Sequence, residues 1–102
     1  MHIISKGKLR EYYRDNTQSK LPLIEWYEKM KLCTAKNLTE LREIFNSVDY
    51  VSGYTVFNIG GNNYRLITSI HYNRKKCYVR VVWTHTEYSR YENQDKLRRG
   101  QL

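Results

Sequence analysis

The sequence predicts a single α+β domain over residues 1–102. An N-terminal strand and two to three helices pack on one face of an antiparallel sheet, and a short helix follows the last strand. Three observations predict this. Apolar residues recur at helical spacing through the first half, most clearly Leu23, Trp26, Tyr27 and Met30 at i, i+3, i+4 and i+7. In the second half, three runs rich in β-branched and aromatic residues are separated by Gly60-Gly61-Asn62 and by Asn73-Arg74-Lys75-Lys76, both of which read as hairpin turns. Directly after the last run, Thr84-His85-Thr86-Glu87 has threonine and glutamate at the spacing of a capping box.

In chain order, His2-Ile3-Ile4 is a short β-branched run that suits a first strand. Ser5 is placed to cap a helix over Lys6 to Asp15, with Leu9, Tyr12 and Tyr13 on one face. Asn16 to Lys20 is polar and reads as a turn. Pro22 suits the first turn of a second helix, where the donor it lacks would have no partner. Asn37, with Glu40 three residues on, starts a third and shorter helix whose apolar face is Leu38, Leu41, Ile44 and Phe45. Val48 to Val51 is a short extended piece and Ser52-Gly53 a turn. Strands follow over Tyr54 to Ile59, Asn63 to Tyr72 and Cys77 to Trp83. The polar tail beyond about residue 92 is expected to be partly disordered or to order on a partner.

Composition narrows the function. Net charge is +8, and it is unevenly spread: nine basic and seven acidic residues lie up to Tyr50, nine and three from Val51 onward. A basic excess in the half that holds the sheet points to a polyanion partner, most often nucleic acid. Ten tyrosines can fill a small core and still present polar edges. Mean hydropathy is −0.78 and no apolar run approaches the ~18 residues of a spanning helix. The start, MHIISKGKLR, lacks the apolar core of a secretion signal, so the expected location is the cytoplasm. Cys33 and Cys77 are far apart, without metal-ligand spacing, and read as free thiols. No metal or other cofactor is expected.

Strand alternation sorts the candidate site residues. Tyr64, Leu66, Thr68, Ile70 and Tyr72 share one side of the middle strand; Asn63, Arg65, Ile67, Ser69 and His71 share the other. On the last strand Cys77, Val79, Val81 and Trp83 oppose Tyr78, Arg80 and Val82. The sides without arginine are the more apolar and should meet the helices, which leaves Arg65 and Arg80 on an open face. His85 falls at the first position of the capped helix, where free amides favour a phosphate. Tyr88 and Tyr91 follow at steps of three. Metal-free RNA cleavage needs a group to take the 2′-hydroxyl proton, one to protonate the leaving 5′-oxygen, and fixed cations around the charge building on phosphorus. His85, Tyr88, Arg65 and Arg80 are the right types for those catalytic roles. Arg74, Lys75 and Lys76 could steer RNA, and Tyr91 could stack on an unpaired base.

Those residues carry a resemblance. Val56-Phe57-Asn58-Ile59, Gly61-Asn62, Tyr64-Arg65-Leu66, Tyr78-Val79-Arg80 and Thr84-His85-x-Glu87-Tyr88, preceded by His2-Ile3-Ile4-Ser5 and Trp26-Tyr27, resemble the HigB-type mRNA interferase toxins. These are a branch of the RelE-like toxins of bacterial type II toxin–antitoxin systems. The similarity spans about residues 1–92. It implies a RelE-like fold and an endoribonuclease that cleaves mRNA, usually on the ribosome, and so inhibits translation. It also implies a HigA-like helix-turn-helix antitoxin, and contact with operator DNA only through the toxin–antitoxin complex. Arg65, Arg80, His85 and Tyr88 are the positions that match the strand arginines and C-terminal histidine or tyrosine used for cleavage in that superfamily. Two positions depart from the pattern: Trp83 stands where a smaller or unbranched residue is usual, and Ser89 where an aspartate often follows the tyrosine. The competing hypothesis is a non-catalytic RNA- or ribosome-binding module, or an inactive toxin relic, using the same basic face.

Overall fold

The computed structural model describes residues 1–102. The elements are β1 (His2–Ile4), α1 (Gly7–Asp15), α2 (Lys20–Lys31), α3 (Leu38–Ile44), β2 (Asp49–Val51), β3 (Tyr54–Ile59), β4 (Tyr64–His71), β5 (Lys76–Thr84), α4 (His85–Tyr88) and α5 (Tyr91–Arg98). The five strands form one sheet in the order β1-β5-β4-β3-β2. Strands β2 to β5 are an antiparallel meander, and β1 adds to β5 in parallel, so the sheet is mixed. The parallel edge follows from the connection: α1, α2 and α3 lie between β1 and the meander and cover one face.

The α2 stripe is core as expected, with Leu23, Trp26 and Met30 buried and Trp26 meeting Phe57 edge-on at 5.3 Å. Asn37 caps α3 by accepting from the Glu40 amide, while the Glu40 carboxylate takes the Lys36 amide. Ile44, expected on the α3 core face, is 39 % exposed, because α3 ends there and only Leu41 is fully enclosed. Ser5 does not cap α1 with its side chain. It takes a left-handed φ of +68° that turns the chain off the sheet edge, and its carbonyl accepts from the Lys8 amide. Residues Thr17–Ser19 of the predicted turn form a 3-10 turn that leads into α2, and Tyr72–Arg74 form another after β4. Ser52 and Gly53 both have positive φ, the backbone of a tight two-residue hairpin turn.

Two differences from the sequence reading matter for function. The β4–β5 register jumps from Ile67↔Val81 to Thr68↔Val79, so Arg80 is an extra residue in a β-bulge. The bulge reverses the alternation of β5. Cys77, Val79 and Val82 face the helices, while Val81 and Trp83 join Arg65 and Ile67 on the opposite face. That face is also not wholly open. The tail expected to be partly disordered forms α5, whose Leu97 is buried with Tyr54, Val56, Ile67 and Trp83 in a second, smaller core. The Ser52 hydroxyl donates to the Arg98 carbonyl, and the Tyr54 hydroxyl bonds both the carbonyl and the amide of Leu102, which ties the tail down. No helix is long and apolar enough to cross a membrane.

Candidate active site

The site is built where the β3–β4 loop meets the end of β5. Gly60 and Gly61 take φ of +62° and +68°, the left-handed backbone that favours glycine, and the Tyr64 ring and Pro22 lie at ordinary contact distance from where a Cβ at Gly60 would stand. The loop they shape supplies two anchors. The Asn63 carbonyl accepts from the His85 amide at 2.9 Å, which fixes the start of α4. Asn62 holds Arg65, accepting from Nη1 on its backbone carbonyl at 3.2 Å and from Nη2 on Oδ1 at 2.6 Å.

Arg65 stands second in β4, beside Asn58 of β3 and Trp83 of β5, and is 8 % exposed. Its guanidinium also donates to the Tyr64 carbonyl and, from Nη2, to His85 Nδ1 at 3.2 Å. Only Nε has no protein acceptor. A buried arginine usually pairs with a carboxylate. The ion pairs of this protein are Arg14–Asp15 and Arg99–Asp95, and neither reaches Arg65, which therefore keeps an uncompensated positive charge. That buried charge makes the spot attractive to an anion.

The same contacts set the state of His85. With Nη2 donating to it, Nδ1 is an acceptor, so a neutral ring carries its proton on Nε2, the nitrogen with no protein partner. His85 itself is exposed. Tyr88 completes the cluster. The Arg65 guanidinium lies 5.5 Å from its ring centroid, Trp83 packs beside it at 6.3 Å, and the Gln94 side-chain amide of α5 donates to its carbonyl at 2.6 Å. The capping box forms with both its bonds, from the Glu87 amide to Thr84 Oγ1 and from the Thr84 amide to the Glu87 carboxylate. Its consequence differs from the expected phosphate site. The α4 helix is a single turn, and the amides of Thr84, His85 and Glu87 already have protein acceptors. Behind α4, burial pushes the Tyr12 phenol up to about 12, with the Glu87 carboxylate and Tyr64 adding to the effect.

The structure therefore brings Arg65, His85 and Tyr88 together. Arg80 lies on the same face but away from them: its Nε donates to Ser69 Oγ at 3.1 Å, and Ser69 is four residues, about 13 Å, along β4 from Arg65. Arg74, Lys75 and Lys76 sit at the far end of the β4–β5 hairpin, about 20 Å from Arg65 along the strand. Tyr91 is exposed at the start of α5, with no aromatic or cationic partner. Sequence reasoning missed Asn62, which looks like an ordinary turn residue, and the part of Trp83, whose ring backs Tyr88. The main surface concavities lie elsewhere, two of them against α1 and one beside Pro22 and Gly60. The cluster sits on an open face, which suits an extended polymer better than an enclosed small molecule.

A family model described as HigB_toxin, RelE-like toxic component of a toxin-antitoxin system, matches residues 19–91. The chain is 32 % identical over 91 residues to the mRNA interferase toxin HigB of Escherichia coli K12, covering 86 % of this chain and 88 % of that protein. The mRNA interferase HigB of Shigella flexneri matches to the same extent. That of Escherichia coli O6:H1 is 32 % identical over 102 residues, covering 94 % of this chain and 99 % of its own length.

Proposed function

The chain belongs to the HigB family of RelE-like toxins, and on that premise we propose that it is the endoribonuclease toxin of a toxin–antitoxin system, cleaving mRNA and so stopping translation. The observation that carries the chemical reading is the Arg65–His85–Tyr88 cluster. The ribose 2′-oxygen attacks phosphorus and loses its proton, the bond from phosphorus to the 5′-oxygen breaks, and that oxygen gains a proton. The products are a 2′,3′-cyclic phosphate and a 5′-hydroxyl. His85 moves a proton through Nε2, the ring nitrogen that no protein group occupies. Arg65 holds the imidazole and adds positive charge next to the phosphate. Tyr88 is the partner of His85 or the platform for a neighbouring base. Arg80, together with Arg74, Lys75 and Lys76, binds the strand further along the hairpin.

As the toxic component of such a system, the protein has an RNA substrate and an antitoxin partner. We read the message as ribosome-bound and cytoplasmic. The antitoxin is read as a HigA-like helix-turn-helix protein through which the complex reaches operator DNA. Brief expression in a bacterium with mapping of 5′ ends tests the reading, beside His85→Ala and Arg65→Ala. New 5′-hydroxyl ends inside coding regions, lost in both variants, are expected. Growth arrest without new ends would replace cleavage by a translation block through binding.

A further inference from the structure

Beyond the cleavage cluster, we propose that Arg80, Tyr78 and His71, with Lys8 at the strand edge, form a second RNA subsite that takes a phosphodiester and an unpaired base flanking the cleaved bond. The inference deepens the ribonuclease reading and rests on it.

The bulge creates the place. Strand β1 covers the outer edge of β5 only as far as Tyr78, its last partner being Ile4. Ser5 then turns the chain away, so from Val79 onward β5 has no strand on its outer edge. Arg80 is the extra residue there, and it is exposed. The Lys8 ammonium reaches its carbonyl from α1 at 3.3 Å, which puts a second cation at the same edge.

The side chains form a platform. The Arg80 guanidinium lies 5.6 Å from the centre of the Tyr78 ring and is held by the single bond from Nε to Ser69 Oγ. His71 meets the same ring edge-on at 5.4 Å. Arg80 and Arg65 thus differ in kind. Arg65 has both Nη groups occupied by protein acceptors, whereas both Nη groups of Arg80 remain without one. A free pair of Nη donors is what a phosphate fork requires. A guanidinium held near a tyrosine ring by a cation–π contact also offers, with that ring, planar surface for a base to stack on. Lys76, the cross-strand partner of His71, continues the positive line to Arg74 and Lys75. An RNA strand with its cleaved bond at His85 would therefore run along the hairpin across this platform.

Binding is measured by fluorescence anisotropy with a labelled single-stranded RNA of about 12 nucleotides. The parent is the His85→Ala protein, so that the result does not depend on cleavage. Tyr78→Ala and Arg80→Ala should each weaken binding roughly 5- to 20-fold. Arg80→Ala and Lys8→Ala should each lower the salt slope by about 1. Tyr78→Phe, which keeps the ring, should bind like the parent, and this separates a lost contact from a disturbed fold. A 4-thiouridine in the RNA should photocrosslink to the peptide that holds His71 and Tyr78. Parent-like binding by both Arg80→Ala and Tyr78→Ala would overturn the subsite even if the unsubstituted protein cleaves RNA. Weakened binding in a protein that cleaves nothing would keep the subsite and remove the ribonuclease reading.

Discussion

Arg65 Nη2 lies 3.2 Å from His85 Nδ1 and joins the second residue of β4 to the first residue of α4. The same guanidinium is anchored to Asn62 and Tyr64 and lies over the Tyr88 ring, so one buried side chain orders the whole cluster. Lysine cannot reproduce this, because its ammonium has three donors on a flexible stem where the fork of Arg65 has four placed N–H groups. Arg65→Lys should therefore lose nearly as much cleavage as Arg65→Ala, about 100-fold in single-turnover rate. Both should also lose about 1–3 kcal/mol of stability, since the acceptors around the site lose their donor. A lysine variant with parental turnover would mean that only the charge of Arg65 matters.

Much of this arrangement is legible in the sequence, and the parts that are not have identifiable causes. Strand β3 is readable because glycine turns bracket it, and the α2 stripe because Leu23, Trp26 and Met30 repeat at helical spacing. The bulge at Arg80 leaves no signal. Val81, Val82 and Trp83 are all apolar, so the last strand reads equally well in either phase. Helix α5 is hidden because Leu97 is the only aliphatic residue between Tyr91 and Arg98. Its order comes from a hole in the sheet face that only tertiary structure reveals. The residue types at the site are readable, but the contact between Arg65 and His85 depends on the fold of the loop that holds Asn62 and Asn63.

The capping box gives a second prediction, on stability and geometry together. Thr84 and Glu87 exchange two bonds around the turn that carries His85. Thr84→Ala should cost about 1 kcal/mol, or roughly 5 °C in melting temperature for a chain of this size. Cleavage should fall further than that small loss of folded protein explains, because the start of the turn that carries His85 is then fixed by the Asn63 carbonyl without the Thr84 oxygen, and the imidazole is aligned less well on Arg65. Thr84→Ser, which keeps the oxygen, should restore both. Equal cleavage by Thr84→Ala and the parent would show that the loop suffices to place the histidine.

Alkaline pH should destabilise the fold through a buried thiol. Burial pushes the Cys77 thiol up to about 12, against an ordinary value of 9.0, and a bond with Thr68 offsets only part of this. In this case the folded value lies above the unfolded one. The stabilising effect is whole below pH 9 and is lost as pH rises from about 9 toward about 12. Across that window the unfolded chain has released a proton that the folded chain still holds, so stability should fall by about 1.4 kcal/mol per pH unit from this group. Tyr12, raised to about 12 from 10.0, adds loss in the same direction above pH 10. Urea melts from pH 8 to 11 should show the decline, and Cys77→Ala should be less steep above pH 9. Parallel curves for the two proteins would exclude the thiol as the cause.

The last prediction concerns the tail. Leu97 is fully buried against Ile67 and Trp83, and Trp83 in turn backs Tyr88. The Gln94 amide also fixes the Tyr88 carbonyl, so α5 holds the site from behind as well as closing the second core. Leu97→Ala should cost about 2–4 kcal/mol by leaving a cavity. If α5 served stability alone, cleavage by the remaining folded protein at low temperature would match the parent. If it positions Tyr88 as the contacts imply, cleavage should fall roughly 10-fold under conditions where circular dichroism shows a full native signal. Gln94→Ala separates the two effects, because it removes the bond to Tyr88 and leaves the Leu97 cavity filled. It should reduce cleavage with less than about 1 kcal/mol lost in stability.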